Sequence, residues 1–139
     1  MKQGFVKVAS ATPRIRVADP VYNAQVICEQ AKEAAEHGAK IVVFPELCIT
    51  GYTCNDLFLQ ELLLEKAKEA LLTIAEETGQ LETLFLVGLP VDKDGRLYNV
   101  AAVLYRGRIL GMIPKKNIPM YAEFYEGRHF TPGEDSKDR

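Results

Sequence analysis

Two residues of this sequence combine a reactive side chain with a setting that could hold it still. Glu46 lies in I-V-V-F-P-E-L-C-I-T-G-Y (41–52), and Lys115 lies in I-P-K-K-N-I-P (113–119). Glu46 follows an apolar, β-branched run at 41–44 that suits a strand buried on both faces. Pro45 ends that run, because proline cannot donate to a sheet ladder. A carboxylate at the carboxyl end of an apolar strand stands where water is scarce and where helix-covered sheets bind ligands. Held there it can act as a general base, and a fixed ammonium such as that of Lys115 can stabilise a developing oxyanion. Such a pair lacks a nucleophile. Cys48 and Cys54 lie close by in sequence, but a reactive thiol needs an electropositive, partly exposed setting, and buried structural thiols are the plainer reading of both. The plainer reading of Glu46 itself is a solvated or loop-bracing charge, as most glutamates are.

The elements that would position these residues can be read in order. Residues 4–11 alternate around Val6 and Val8 as a first strand. Asp19-Pro20 reads as N-cap and first helical residue, followed by apolar positions at helical spacing through residue 37, with Gly38 as C-cap. Residues 40–44 form the second strand, and the β-α-β order favours a right-handed crossover with parallel pairing. A loop at 53–61, with Asn55 or Asp56 as N-cap, leads into a second helix over 57–78, which carries Leu63, Ala67, Leu71, Ile74 and Ala75 on one face and ends at Gly79. Residues 83–89 make a third strand and residues 92–95 a turn. Strands at 97–105 and 108–113 flank Arg106-Gly107 as an antiparallel hairpin. The expected arrangement is an α/β fold in which the first three strands share one sheet and both helices pack on the same side.

A chain of 139 residues can form one domain with a real core. A net charge of −2, with no basic cluster longer than Lys115-Lys116, argues against a nucleic-acid surface. No apolar run is long enough to span a bilayer, and the N-terminal segment has no continuous h-region of a signal peptide. Three cysteines, Cys28, Cys48 and Cys54, without metal-ligand spacing, read as reduced thiols of a cytoplasmic protein. Residues 114–133 differ from the rest: aromatic and charged side chains crowd an aperiodic segment, which suggests a binding loop, or aromatics that pin a long loop to the body. Residues 134–139 are polar and read as the end of a truncated chain.

The motifs F-P-E-L-x-x-T-G-Y at 44–52 and P-K-x-x-I-P with Y-x-E-F-Y-E-x-R-x-F-x-P-G at 114–133 resemble those of the nitrilase superfamily of carbon–nitrogen hydrolases. The second is most similar to the N-terminal glutaminase domain of glutamine-dependent NAD synthetases. The resemblance covers nearly the whole chain, and residues 1–133 correspond to the N-terminal portion of such a domain. It implies an αββα sandwich, here its N-terminal part, a mixed sheet with two helices on one face. It further implies a Glu-Lys-Cys triad, with Glu46 as general base and Lys115 as the stabiliser of the tetrahedral intermediate. Tyr121 and Glu126 match positions that bind glutamine or shape its pocket, and Tyr52 matches a tyrosine near the ammonia exit. The nucleophilic cysteine is implied well beyond Gly133.

On that resemblance the parent protein hydrolyses glutamine and passes ammonia to a C-terminal synthetase domain that converts deamido-NAD to NAD. ATP and Mg are expected in that domain and no cofactor in these residues; a homo-oligomer is expected, and these residues alone are expected to be inactive. Two other readings compete. One is a free-standing nitrilase-like amidase for a small amide or carbamoyl compound; the other is a non-catalytic module that keeps the fold.

Overall fold

Asp19 starts the first helix as expected: its carboxylate accepts the Tyr22 N–H at 3.2 Å, and Pro20 takes the first helical position. In the computed structural model, which describes residues 6–51 and 61–115, the elements run β1 (Val8–Ser10), α1 (Pro20–Glu36), β2 (Ile41–Val43), α2 (Glu61–Glu77), β3 (Leu84–Lys93), β4 (Arg96–Tyr105) and β5 (Arg108–Pro114). The cap that closes α1 is His37, whose N–H reaches back to Glu33 and Ala34, and Gly38 is the left-handed residue after it rather than the cap itself. Residues 52–60, and with them the expected N-cap of the second helix, lie outside the described residues.

The five strands form one sheet in chain order. β1 and β2 pair in parallel, as do β2 and β3, while β3, β4 and β5 form antiparallel neighbours. Both hairpin turns have two residues at positive φ, Asp94-Gly95 and Arg106-Gly107. That backbone hand matches the twist of the flanking strands. The second hairpin was expected; the first is a correction. The third strand does not stop at residue 89 but runs through Pro90 to Lys93 before turning onto β4. Even-numbered residues of β3 aim their backbone groups at β2: Leu84 N–H at Lys40 O, Leu86 O at Phe44 N–H. β2 has already ended at the level of Pro90, so the missing N–H interrupts no ladder bond.

Strand parity divides the sheet. Val42, Phe85, Val87, Leu89, Val100, Ala102 and Leu104 share one face and form a single core with Ile27 and Ala31 of α1 and Ala67, Leu71 and Ile74 of α2. Both helices therefore cover the same face. The opposite face carries Val8, Val43 and Ile113, which are 59%, 40% and 55% exposed. β2 is thus buried on one face only, correcting the expectation of a doubly buried strand: among the described residues, helices cover just one side. Between β4 and β5 the register shifts at Val103/Leu104, leaving Leu110 without a cross-strand partner. None of the described helices is long and apolar enough to cross a membrane.

Candidate active site

Glu46 and Lys115 depart from strands that lie three ladder spacings apart, roughly 14 Å. The structure nevertheless joins them: Lys115 Nζ lies 2.7 Å from Glu46 Oε1. Two local features close the gap. After Phe44 N–H bonds to Leu86 O, the chain turns at Pro45–Cys48 and comes back so that Ile49 N–H bonds to Gly88 O at 3.1 Å. The turn therefore lies across β3, on the side away from the helices, which moves Glu46 toward β4 and β5. Lys115 continues the β5 ladder, its N–H donating to Asn99 O at 2.7 Å. By strand parity it shares the side of Ala101 and Gly88. The pair thus stands on the helix-free face of the sheet.

Both side chains retain access to water, being 38% exposed for Glu46 and 28% for Lys115. As a stabilising contact a half-exposed ion pair is worth at most about 1 kcal/mol. Its interest is chemical: an ionised carboxylate that can receive a proton lies beside a fixed positive charge that can hold a nascent oxyanion. Among the described residues no cluster of side chains could hold a metal ion. A groove of ≈ 460 Å³ between α1 and α2, crossed by the Lys32–Glu77 ion pair at 3.4 Å, includes neither Glu46 nor Lys115, so it lies apart from this chemistry.

The two described thiols are unsuited to nucleophilic attack. Burial pushes Cys48 up to about 12, although its contact with Gly88 O works the other way, and burial, aided by Glu77, pushes Cys28 up to about 11. The unfolded chain ionises these thiols first, from the ordinary value of 9.0, so their share of stability is intact below pH 9 and is lost as pH rises through about 11 for Cys28 and about 12 for Cys48. At pH 8, iodoacetamide is expected to leave both thiols unmodified during a period that fully labels the urea-unfolded chain. Prompt labelling of either in the folded chain would contradict their burial. Tyr52, Cys54, Lys116, Tyr121 and Glu126 lie outside the described residues.

Two further residues shape the site and escaped the reading of the sequence. Asn23 is fully buried; its amide donates to Ile49 O at 2.8 Å and Arg16 O at 2.7 Å and accepts Arg16 N–H at 2.6 Å. Its signal was a polar residue four before Ile27 on an otherwise apolar helix face. The other is Gly88, a lone glycine inside an apolar strand, which marks close backbone approach.

A family model described as carbon–nitrogen hydrolase matches residues 7–138. The glutamine-dependent NAD(+) synthetase of Mycobacterium tuberculosis is 39% identical over 136 residues, which is 98% of this chain and 20% of that protein. The chain thus spans about a fifth of the length of such relatives. The crystal structure of a glutamine-dependent NAD(+) synthetase from Cytophaga hutchinsonii superposes with a TM-score of 0.88 at 30% identity, covering 95% of this chain and 22% of that one. A variant of the amidase from Nesterenkonia sp. AN1, an enzyme of the nitrilase superfamily, superposes at 0.77 and 25% identity, covering 94% of this chain and 49% of that one. That variant carries the acetamide moiety of fluoroacetamide on its active-site cysteine.

Proposed function

Because the chain belongs to the carbon–nitrogen hydrolase family, we propose that it supplies the general base and the oxyanion-stabilising cation of a glutamine-hydrolysing domain. The observation that carries this reading is the 2.7 Å approach of Lys115 Nζ to Glu46 Oε1 on the helix-free face. The nucleophile is a cysteine thiol of the parent chain beyond Gly133. The Glu46 carboxylate takes the thiol proton as sulfur attacks the amide carbon, and Lys115 holds the negative charge that develops on the carbonyl oxygen. Collapse of the tetrahedral species breaks the C–N bond, and ammonia leaves with the proton returned from Glu46. Water, deprotonated by the same carboxylate, then cleaves the thioester and frees glutamate and the thiol.

Residues 1–133 form the N-terminal portion of this domain in the proposal, with 134–139 a polar continuation. Tyr121 and Glu126 bind or frame glutamine, and Tyr52 stands near the ammonia exit. The ammonia is consumed in a synthetase domain of the same parent, where ATP and Mg act; no residue of this chain is assigned to them. The names of the relatives, glutamine-dependent NAD(+) synthetase, support glutamine as the donor.

The test uses the parent chain. Purified protein is expected to release ammonia from glutamine and to couple that release to ATP-dependent amide formation on deamido-NAD. Ammonia-driven product formation with no glutamine hydrolysis would sink the proposal. The similarity to the Nesterenkonia amidase favours a second reading, a free-standing amidase. That reading gains if the parent hydrolyses small amides and makes no NAD with either nitrogen source.

A further inference from the structure

The geometry points to Gly88 as the positioning residue for the Glu46 carboxylate, through main-chain contact rather than through any side chain. This inference rests on the assignment of Glu46 as the base. A Cβ built on Gly88 would lie 2.9 Å from Pro45 O and 3.0 Å from the carbonyl carbon of Glu46, and closer still to Leu47 N. All three are main-chain atoms of the turn that carries Glu46, so none can swing aside as the end of a side chain could. An ordinary van der Waals separation requires the turn to lift by roughly 1 Å.

The segments flanking the turn are held, so the lift falls on its exposed Pro45–Glu46 corner. Ile49 N–H is bound to Gly88 O, and Ile49 O receives the Asn23 amide. Thr50 O accepts Ala18 N–H at 2.7 Å, and Gly51 N–H bonds to Leu47 O at 2.7 Å. Leu47 holds φ at 54° while its side chain is buried with Leu63, Leu64 and Leu97. A leucine in the left-handed region is costly and persists only where its surroundings fix it. The turn is therefore clamped from beneath and from both ends, and its height above β3 is set by the absence of a side chain at position 88. Glu46 meets Lys115 at 2.7 Å, and a displacement near 1 Å removes that alignment.

The experiment compares parent chains carrying Gly88→Ala, Gly111→Ala, Glu46→Gln and the double change Gly88→Ala/Glu46→Gln. Gly111 is a control from the same sheet, because an added Cβ there meets nothing within 4 Å. Gly88→Ala is expected to lower kcat for glutamine hydrolysis about 10²-fold, the order of loss a 1 Å misplacement causes, with KM within about twofold of wild type. Gly111→Ala should change neither. In the Glu46→Gln background Gly88→Ala should add no more than about a twofold loss, since the group it displaces is already disabled. An equal loss in both backgrounds would mean that Gly88 acts on the fold at large, and the inference fails.

Two readouts do not depend on that comparison. In the unmodified parent, the Ile49 and Gly51 amide protons should exchange with solvent as slowly as those of β3. Exchange at loop rates overturns the clamp, even if the alanine variant does not fold. Should the unmodified parent prove unable to hydrolyse glutamine, the proposed function falls while the positioning inference is still decided by a crystal structure of the Gly88→Ala parent. A Glu46–Lys115 separation unchanged there refutes it, and separation beyond hydrogen-bond reach supports it.

Discussion

Glu46→Gln in the parent chain is expected to slow glutamine hydrolysis by about 10²–10⁴-fold while leaving glutamine binding nearly intact. Glutamine has the shape and most of the hydrogen-bonding capacity of glutamate, so the turn over β3 keeps its packing. What it lacks is a site for the proton of the attacking thiol, and positioned general-base catalysis is typically worth a factor of that size. The loss should therefore fall on kcat with little change in KM, which marks an interaction made in the transition state. Lys115→Met, which removes the cation 2.7 Å away, acts on the other partner of the same chemistry and should cost about 10²–10³-fold, as loss of an oxyanion donor does. Product formation driven by added ammonia should survive both changes. Hydrolysis at the unaltered rate in the Glu46→Gln parent would make Glu46 a loop brace, the plainer reading its sequence position allowed.

The largest expected effect on stability comes from Phe85→Ala. Phe85 is 1% exposed, pairs across the sheet with Val42 on one side and Leu104 on the other, and packs its ring 6.5 Å from that of Phe44 at a tilt of 41°. It stands where the parallel and antiparallel parts of the sheet meet beneath both helices. Truncation removes the burial of a whole ring and leaves a cavity that neighbours on three strands cannot collapse into, a combination that costs about 3–5 kcal/mol. Against a total of about 5–15 kcal/mol that is a large fraction. Urea unfolding should show the loss as a lower midpoint with an unchanged slope. A loss below about 1 kcal/mol would mean that this part of the core is looser than the structure has it.

The sequence was legible where local chemistry decides. Asp19-Pro20 fixed the start of α1, and apolar spacing gave the buried faces of α1 and α2. Arg106-Gly107 gave the β4–β5 hairpin. Reading failed where a residue's role comes from chain segments far away. After Pro90 only Val91 is apolar, and Asp92 and Lys93 are charged and exposed, so nothing local marks the run as strand; pairing with β4 makes it one. Val42 and Val43 look equally apolar, and only the one-sided placement of the helices buries the first and exposes the second. Glu46 could be singled out by its position after an apolar strand. Its partner's distance depended on a turn laid across Gly88, which no spacing in the sequence encodes. Asn23 was legible only as an oddity, since its three hydrogen bonds reach residues 7 and 26 positions away.

The register shift that leaves Leu110 unpaired has a consequence for how this sheet can associate. An outermost strand offers unpaired N–H and C=O groups to any passing chain, and long, flat edges recruit further strands. β5 is poorly suited to that: it is bent by the bulge at Leu110, carries Arg108 at one end and finishes in Pro114, which has no N–H to offer. β1, at the other margin, has three residues in the ladder. Among the described residues, growth by strand addition is thus discouraged at both margins, while Val8, Val43 and Ile113 stay in water on the broad side. A structure that covers the broad side must stack onto it, and that is the side on which Glu46 meets Lys115.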